Sequence, residues 1–161
     1  MPSLPQPDLP RFVLHSGEYR VSATPVVMST LLGSCVSVCL YDPRARMMGM
    51  NHFLLARETN RSRLGSEAPA AARYGVHAMT LLMDGLLALG ASRKDLQAKA
   101  FGGASVVGRP ARECNALPSV GEMNTRFVRE YLDQAGIPLI AEDLGGNQGR
   151  QGCCAVGPVG R

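Results

Sequence analysis

Cys35-Val36-Ser37-Val38-Cys39-Leu40-Tyr41-Asp42-Pro43-Arg44-Ala45-Arg46-Met47-Met48-Gly49-Met50-Asn51-His52-Phe53-Leu54-Leu55 is the stretch on which the reading of this chain turns. Val36, Val38 and Leu40 alternate with Cys35, Ser37 and Cys39, the period-two pattern of a half-buried strand. Asp42-Pro43-Arg44-Ala45 suits a type I turn, with Asp in the first position and Pro in the second. Met47 to Leu55 then reads as the returning strand. Opposed residues of an antiparallel hairpin have a constant sum of numbers. A turn centred between Pro43 and Arg44 sets that sum at 87 and puts Cys35 opposite His52. Their Cβ atoms would then lie about 5 Å apart on one face. A slip of one residue would separate them onto opposite faces.

Such a pair has a definite chemistry. Imidazole beside a thiol favours a thiolate–imidazolium pair, which makes a nucleophile near neutral pH. Gly33-Ser34 allows a sharp backbone approach to Cys35, where main-chain N–H groups could serve an oxyanion. The residues alone also allow a plainer reading, a buried structural Cys and an unrelated strand His.

Outward from the hairpin, the chain reads as one α+β domain. Residues 1–11 are a flexible Pro-rich lead, MPSLPQPDLPR, and 12–161 form the folded unit. Val26 to Leu32 is a short apolar strand. A helix is expected over roughly Pro69 to Leu89, with Arg73, His77, Thr80 and Asp84 on its polar stripe. Ala98 to Phe101 is strand-like and runs into Gly102-Gly103. Residues 108–118 form an irregular insertion. Ser119 and Glu122 fit a capping box for a second helix, with Phe127, Val128, Tyr131 and Leu132 inward and Gly136 then Pro138 ending it. Ile137 to Ala141 is a further strand, followed by a turn at Gly145-Gly146-Asn147.

Composition narrows the function classes. The 161 residues are 45% apolar, too rich for a disordered chain. A net charge of +4, with the arginines scattered apart from Arg57, Arg61 and Arg63, is no nucleic-acid track, and aromatics at 5% give no stacking platform. No stretch reads as a signal peptide or a membrane span, so a cytoplasmic location is expected, and with it five free thiols. Cys35 and Cys39 lie about 13 Å apart on a strand and cannot share a zinc. Cys153-Cys154 are adjacent and no CxxC occurs. The glycine pairs at 102–103 and 145–146 lack the spacing of a nucleotide cradle and read as tight turns or close backbone packing. His77 is expected in solvent, and His15 has no partner in view.

Several blocks together resemble one family. Thr30-Leu31-Leu32-Gly33-Ser34-Cys35-Val36-Ser37-Val38-Cys39-Leu40-Tyr41-Asp42 resembles its signature. So do Met50-Asn51-His52-Phe53-Leu54-Leu55, Lys99-Ala100-Phe101-Gly102-Gly103-Ala104, Val120-Gly121-Glu122-Met123-Asn124 and Glu142-Asp143-Leu144-Gly145-Gly146-Asn147 with Arg150. The family is CheD, the chemoreceptor glutamine deamidases, and the likeness runs from about Gly17 to Arg150 in the family's order. It implies a single-domain layered sandwich of mixed or antiparallel sheet with helices packed on it, similar to toxin deamidases. It implies Cys35 as nucleophile, His52 as general base, and a hydroxyl orienting the imidazole. Thr30 is favoured for that hydroxyl, and Ser29 is where a gapless count lands. It also implies a reaction without metal or organic cofactor. The expected partners are cytoplasmic helices of chemoreceptors and a CheC-type phosphatase of CheY-phosphate, with neither nucleic acid nor membrane insertion. Two departures from the family stand out: Gly108 to Pro118 looks long, and Gln151 to Arg161 lacks a strand-like ending.

Overall fold

The computed structural model describes residues 8–54, 74–105 and 118–156. Among these residues the strands and α-helices follow one another as β1 (Arg11–Val13), β2 (Tyr19–Ser22), β3 (Val26–Leu32), β4 (Val36–Asp42), β5 (Met47–Asn51), α1 (Gly75–Leu89), β6 (Gln97–Gly102), α2 (Val120–Ala135), β7 (Leu139–Leu144) and β8 (Arg150–Val156), with a short 3-10 turn at Arg93–Asp95 before β6. A five-stranded sheet has the order β2-β5-β4-β6-β7, and a three-stranded sheet the order β1-β3-β8. Both are mixed: β1 runs parallel to β3 and β6 parallel to β7, and the other pairs are antiparallel. The architecture is an α+β layered sandwich, as expected.

Strand parity shows how the layers stack. Val36, Val38 and Leu40 of β4 join α1 and α2 residues in one core, with Leu82, Leu86, Val128 and Leu132. Cys39 of the same strand joins Met48 and Met50 of β5 and Val26 and Met28 of β3 in a second core. Helices therefore cover one face of the large sheet and the small sheet covers the other. This corrects the reading of residues 36–42 as half-buried. The strand is buried on both faces because it runs through the middle of three layers, and the polar alternates are small enough to be enclosed.

The hairpin register also differs from expectation. Cys39 pairs with Met50 and Asp42 with Met47, a constant sum of 89 in place of 87. The loop has four residues, Pro43 to Arg46, rather than two. Asp42 Oδ1 accepts from the N–H groups of Arg44 and Ala45, both at 2.9 Å, and Arg46 closes the loop at φ 57°. Two residues of slip conserve parity, so Cys35 and His52 keep a common face but lie diagonally instead of opposite.

Both helices stop at a left-handed glycine, Gly90 and Gly136. The second has the expected capping box between Ser119 and Glu122. The first begins at Gly75, because Tyr74 is extended at φ −93°, ψ 135°; the expected start at residues 69–73, the arginine cluster at 57–63 and most of the insertion at 108–118 lie outside the described residues. The C-terminal segment corrects a second expectation. Residues 150–156 pair with the whole of β3, from Leu32↔Arg150 to Val26↔Val156. Residues 151–155 alternate exposed and buried, so a strand forms although Gly152, Cys153, Cys154 and Ala155 are individually poor advertisements for one.

Candidate functional site

Parity brings three sequence candidates to the space between the sheets. Cys35 and His52 flank the bridged pair Val36↔Phe53, whose side chains belong to the helix-side core. The two therefore point the other way, toward the small sheet. On that sheet Val26 and Met28 face inward, and Thr30 is the next residue with their parity. Thr30 is buried, and its Oγ1 lies 2.8 Å from His52 Nδ1. Ser29 falls on the alternate face of β3, in register with Cys153. The hydroxyl beside the imidazole is that of Thr30.

One proton settles the tautomer. Thr30 Oγ1 donates to the Leu14 carbonyl at 2.7 Å. Its single hydrogen is thus committed, and toward His52 the hydroxyl can only accept. His52 therefore carries its proton on Nδ1 and leaves Nε2 as a lone pair. Nε2 is buried and has no hydrogen-bond partner in the structure. Burial pulls the imidazole below its ordinary pKa; His15 nearby adds to this and Glu18 opposes it. His15 and Glu18 belong to a turn that closes over the ring's backbone, with Gly17 N–H donating to the His52 carbonyl and His52 N–H to the Glu18 carbonyl. His15 thus has a place beside the site that its sequence context did not disclose.

Cys35 ends a loop held from two directions. Ala104 N–H donates to the Gly33 carbonyl at 2.9 Å and Gly103 N–H to the Cys35 carbonyl at 2.8 Å. Gly102, at φ 104°, lies so close to the Cys35 carbonyl that no side chain fits there. The glycine pair at 102–103 is a close-packing device, as expected. From α2, Asn124 Nδ2 donates to the Ser34 carbonyl at 3.0 Å and to the Leu54 carbonyl at 2.7 Å. One buried amide so ties the residue before Cys35 to the strand extension that carries His52. A signal for it existed: Asn124 sits three after Gly121 and four before Val128, on the buried stripe of its helix.

Burial acts on both members of the Cys35–His52 pair. Burial raises the Cys35 thiol above its ordinary pKa, and a hydrogen bond from its own N–H only partly offsets this. Burial thus moves the thiol up and the imidazole down, and both shifts favour the uncharged forms. Low dielectric disfavours both charges, and the ring's proton is already spent on Thr30. Alkylation of Cys35 by iodoacetamide is accordingly expected to keep accelerating with pH up to and beyond pH 9. A rate that levels off near pH 7 would contradict this.

A further expectation fails at Cys39. Its sulfur is bonded to that of Cys154, joining β4 to β8 with a Cα separation of 6.7 Å. The two sheets stack with these side chains facing each other, which one sequence cannot show. Cys35 and Cys153 are free. Among the described residues, no three His, Cys, Asp or Glu side chains converge as a metal site would need, and no helix is long and apolar enough to cross a membrane.

The family model of CheD chemotactic sensory transduction matches residues 54–156, beginning two positions after His52. The probable chemoreceptor glutamine deamidase CheD 2 of Shewanella oneidensis is 48% identical over 134 residues, which cover 83% of this chain and 66% of that protein. The probable chemoreceptor glutamine deamidase CheD 1 of Geobacter sulfurreducens has the same identity and coverage. The probable chemoreceptor glutamine deamidase CheD of Rhizobium meliloti is 45% identical over 136 residues, with 84% and 69% covered. The chain thus spans about two thirds of the length of these relatives. Among solved structures, Bacillus licheniformis hypothetical protein YfiH aligns at a TM-score of 0.46 and 16% identity, over 78% of this chain and 49% of that one. That likeness is too slight to bear on the chemistry. A family match over more than half of the chain, with relatives at 45–48% identity, shows that the chain belongs to the CheD family.

Proposed function

We propose that the protein deamidates glutamine side chains of chemoreceptors to glutamate, with Cys35 as nucleophile, His52 as general base and acid, and Thr30 holding the imidazole. The observation that carries the chemistry is the chain from the Leu14 carbonyl through Thr30 to His52 Nδ1, which leaves Nε2 basic and unpartnered on the Cys35 face. The substrate class comes from the names of the relatives.

His52 Nε2 takes the thiol proton as Cys35 Sγ adds to the amide carbon. The tetrahedral oxyanion needs N–H donors, and the Cys35 N–H, which already acts on the sulfur, is one that the site offers. Collapse breaks the carbon–nitrogen bond, and the imidazolium passes its proton to the departing ammonia. Water then attacks the thioester, loses a proton to His52, and the thiol leaves with that proton. The same thioester would form from a glutamyl methyl ester, so ester hydrolysis is within reach of the site. The substrate would be the cytoplasmic helices of receptors, and a CheC-type phosphatase of CheY-phosphate the regulatory partner, with the protein at work in the cytoplasm.

The test is mass spectrometry of a receptor cytoplasmic fragment incubated with the full chain. Defined glutamines are expected to gain about one dalton with release of ammonia, as amide becomes acid. No gain would leave a receptor- or CheC-binding adaptor as the better reading, and the same gain with Cys35→Ala would overturn Cys35 as the nucleophile.

A further inference from the structure

The Cys39–Cys154 bridge lies apart from the proposed catalytic chemistry. It crosses the layer between the sheets, from the central strand β4 to β8, and joins residues 115 apart in sequence. Both cysteines are buried among Met28, Met48 and Met50. Yet a cleft of about 340 Å³ opens beside them, and Cys39, Cys154, Cys153 and Lys99 are among its lining residues. Lys99 is the direct partner of Cys39 in the β4–β6 register, so its ammonium stands on the same face as the sulfur. Cys153 is free and exposed, and successive residues of a strand face opposite ways, so it is poorly placed to attack the bridge itself.

We propose that this bridge is a thiol-exchange site for a small anionic thiol of the glutathione class, which enters the cleft and unlocks the two sheets. The cleft admits a peptide-sized thiol, and a buried bridge is out of reach of a thiol fixed on a large protein surface. The carboxylates of such a thiol are complementary to Lys99. Its thiolate attacks Cys154 Sγ. The sulfur–sulfur bond breaks and Cys39 leaves as a thiolate beside the ammonium, which favours departure from that side. A second thiolate attacks the mixed disulfide and displaces Cys154. The balance is two small thiols oxidised to one disulfide, and one bridge reduced to two protein thiols.

Opening the bridge removes the covalent link between β4 and β8 and leaves β8 held by its ladder to β3, its side-chain packing and the Arg150 contacts to Asp143 and Gly145. β3 carries Thr30. Any consequence for catalysis rests on the site proposed above, but the exchange itself does not.

The experiment uses the full chain with Cys35→Ser and Cys153→Ser, oxidised, then placed in glutathione buffers of graded poise at pH 7 without denaturant. Acid quenching and peptide mapping are expected to show Cys39 linked to Cys154 in oxidised buffer. In reduced buffer two thiols should appear within minutes, with a glutathionyl group trapped on Cys154 and a fall in Tm. Lys99→Glu is expected to slow opening by about tenfold at unchanged Tm of the oxidised form. Free thiols at both positions in every buffer would overturn the proposal. So would opening only at the rate of global unfolding, or a rate indifferent to Lys99→Glu. With Cys35 and Cys153 restored, absence of deamidation in both redox states would count against the proposed reaction, while the mapping would still decide the exchange.

Discussion

Replacing Cys35 by alanine is expected to lower receptor deamidation by at least about a thousandfold, and replacing His52 by alanine to lower it comparably. The double variant should be little worse than the poorer single one. In the proposed reaction the two side chains act as a unit. A thiol whose pKa is raised by burial is a poor nucleophile until a base removes its proton, and the buried Nε2 has no hydrogen-bond partner that would compete for that role. Simple additivity of the two losses would mean that Cys35 attacks without help from His52. The pH profile carries the same logic. Below the lowered pKa of His52 the ring is protonated and cannot accept the thiol proton, so activity falls on the acid side. Above the raised pKa of Cys35 the pair has lost the proton that departing ammonia needs, so activity falls on the alkaline side. Since the two shifts point apart, the active range is expected to be wider than that of an unperturbed thiol and imidazole, on both limbs. A bell with its limbs at ordinary His and Cys values would show that burial does not shift the pair.

How much of this site could be read from sequence depends on what kind of information each residue needed. Cys35 and His52 sit on one hairpin, and a strand alternates with a period of two, so their common face survived a register error of two residues. The error arose because a four-residue loop ending in a left-handed Arg46 resembles, in composition, a tighter Pro-Arg turn. Thr30 is a different case. It lies on the other sheet, and only the stacking of the two sheets brings it to His52. No local pattern states that stacking; the family likeness supplied the hydroxyl, and the structure distinguishes Thr30 from Ser29 by strand parity. The Cys39–Cys154 contact also depends on sheet stacking, and it passed unnoticed. The β8 strand was missed for a compositional reason, since small residues buried against Leu32, Met50 and Phe101 carry little β-propensity of their own. The second helix was legible almost to the residue, because its capping box and terminal glycine are local devices.

Asn124→Ala is expected to cost about 2–4 kcal/mol of stability and to lower kcat more than it raises KM. The amide is buried and makes two bonds from one nitrogen, to the Ser34 and Leu54 carbonyls. Removing it leaves both part-buried carbonyls without their donor, and that penalty adds to the net worth of the bonds themselves. The two carbonyls belong to segments that carry the nucleophile and the base, so their relative position loses its direct tie. Asn124→Asp sharpens the point. An ionised carboxylate offers no donor to either carbonyl, so the buried side chain should hold its proton and its pKa should rise above the unfolded value. Stability of that variant is then greatest below the unfolded carboxyl pKa of about 3.9 and declines as pH rises through the folded one. Chemical denaturation at pH 5 and pH 8 measures this, with kcat and KM taken at a temperature where each variant is fully folded. If kcat holds there while only Tm falls, Asn124 supports the fold and not the alignment of Cys35 with His52. If kcat falls in the fully folded variant, the helix amide sets the geometry on which proton transfer depends.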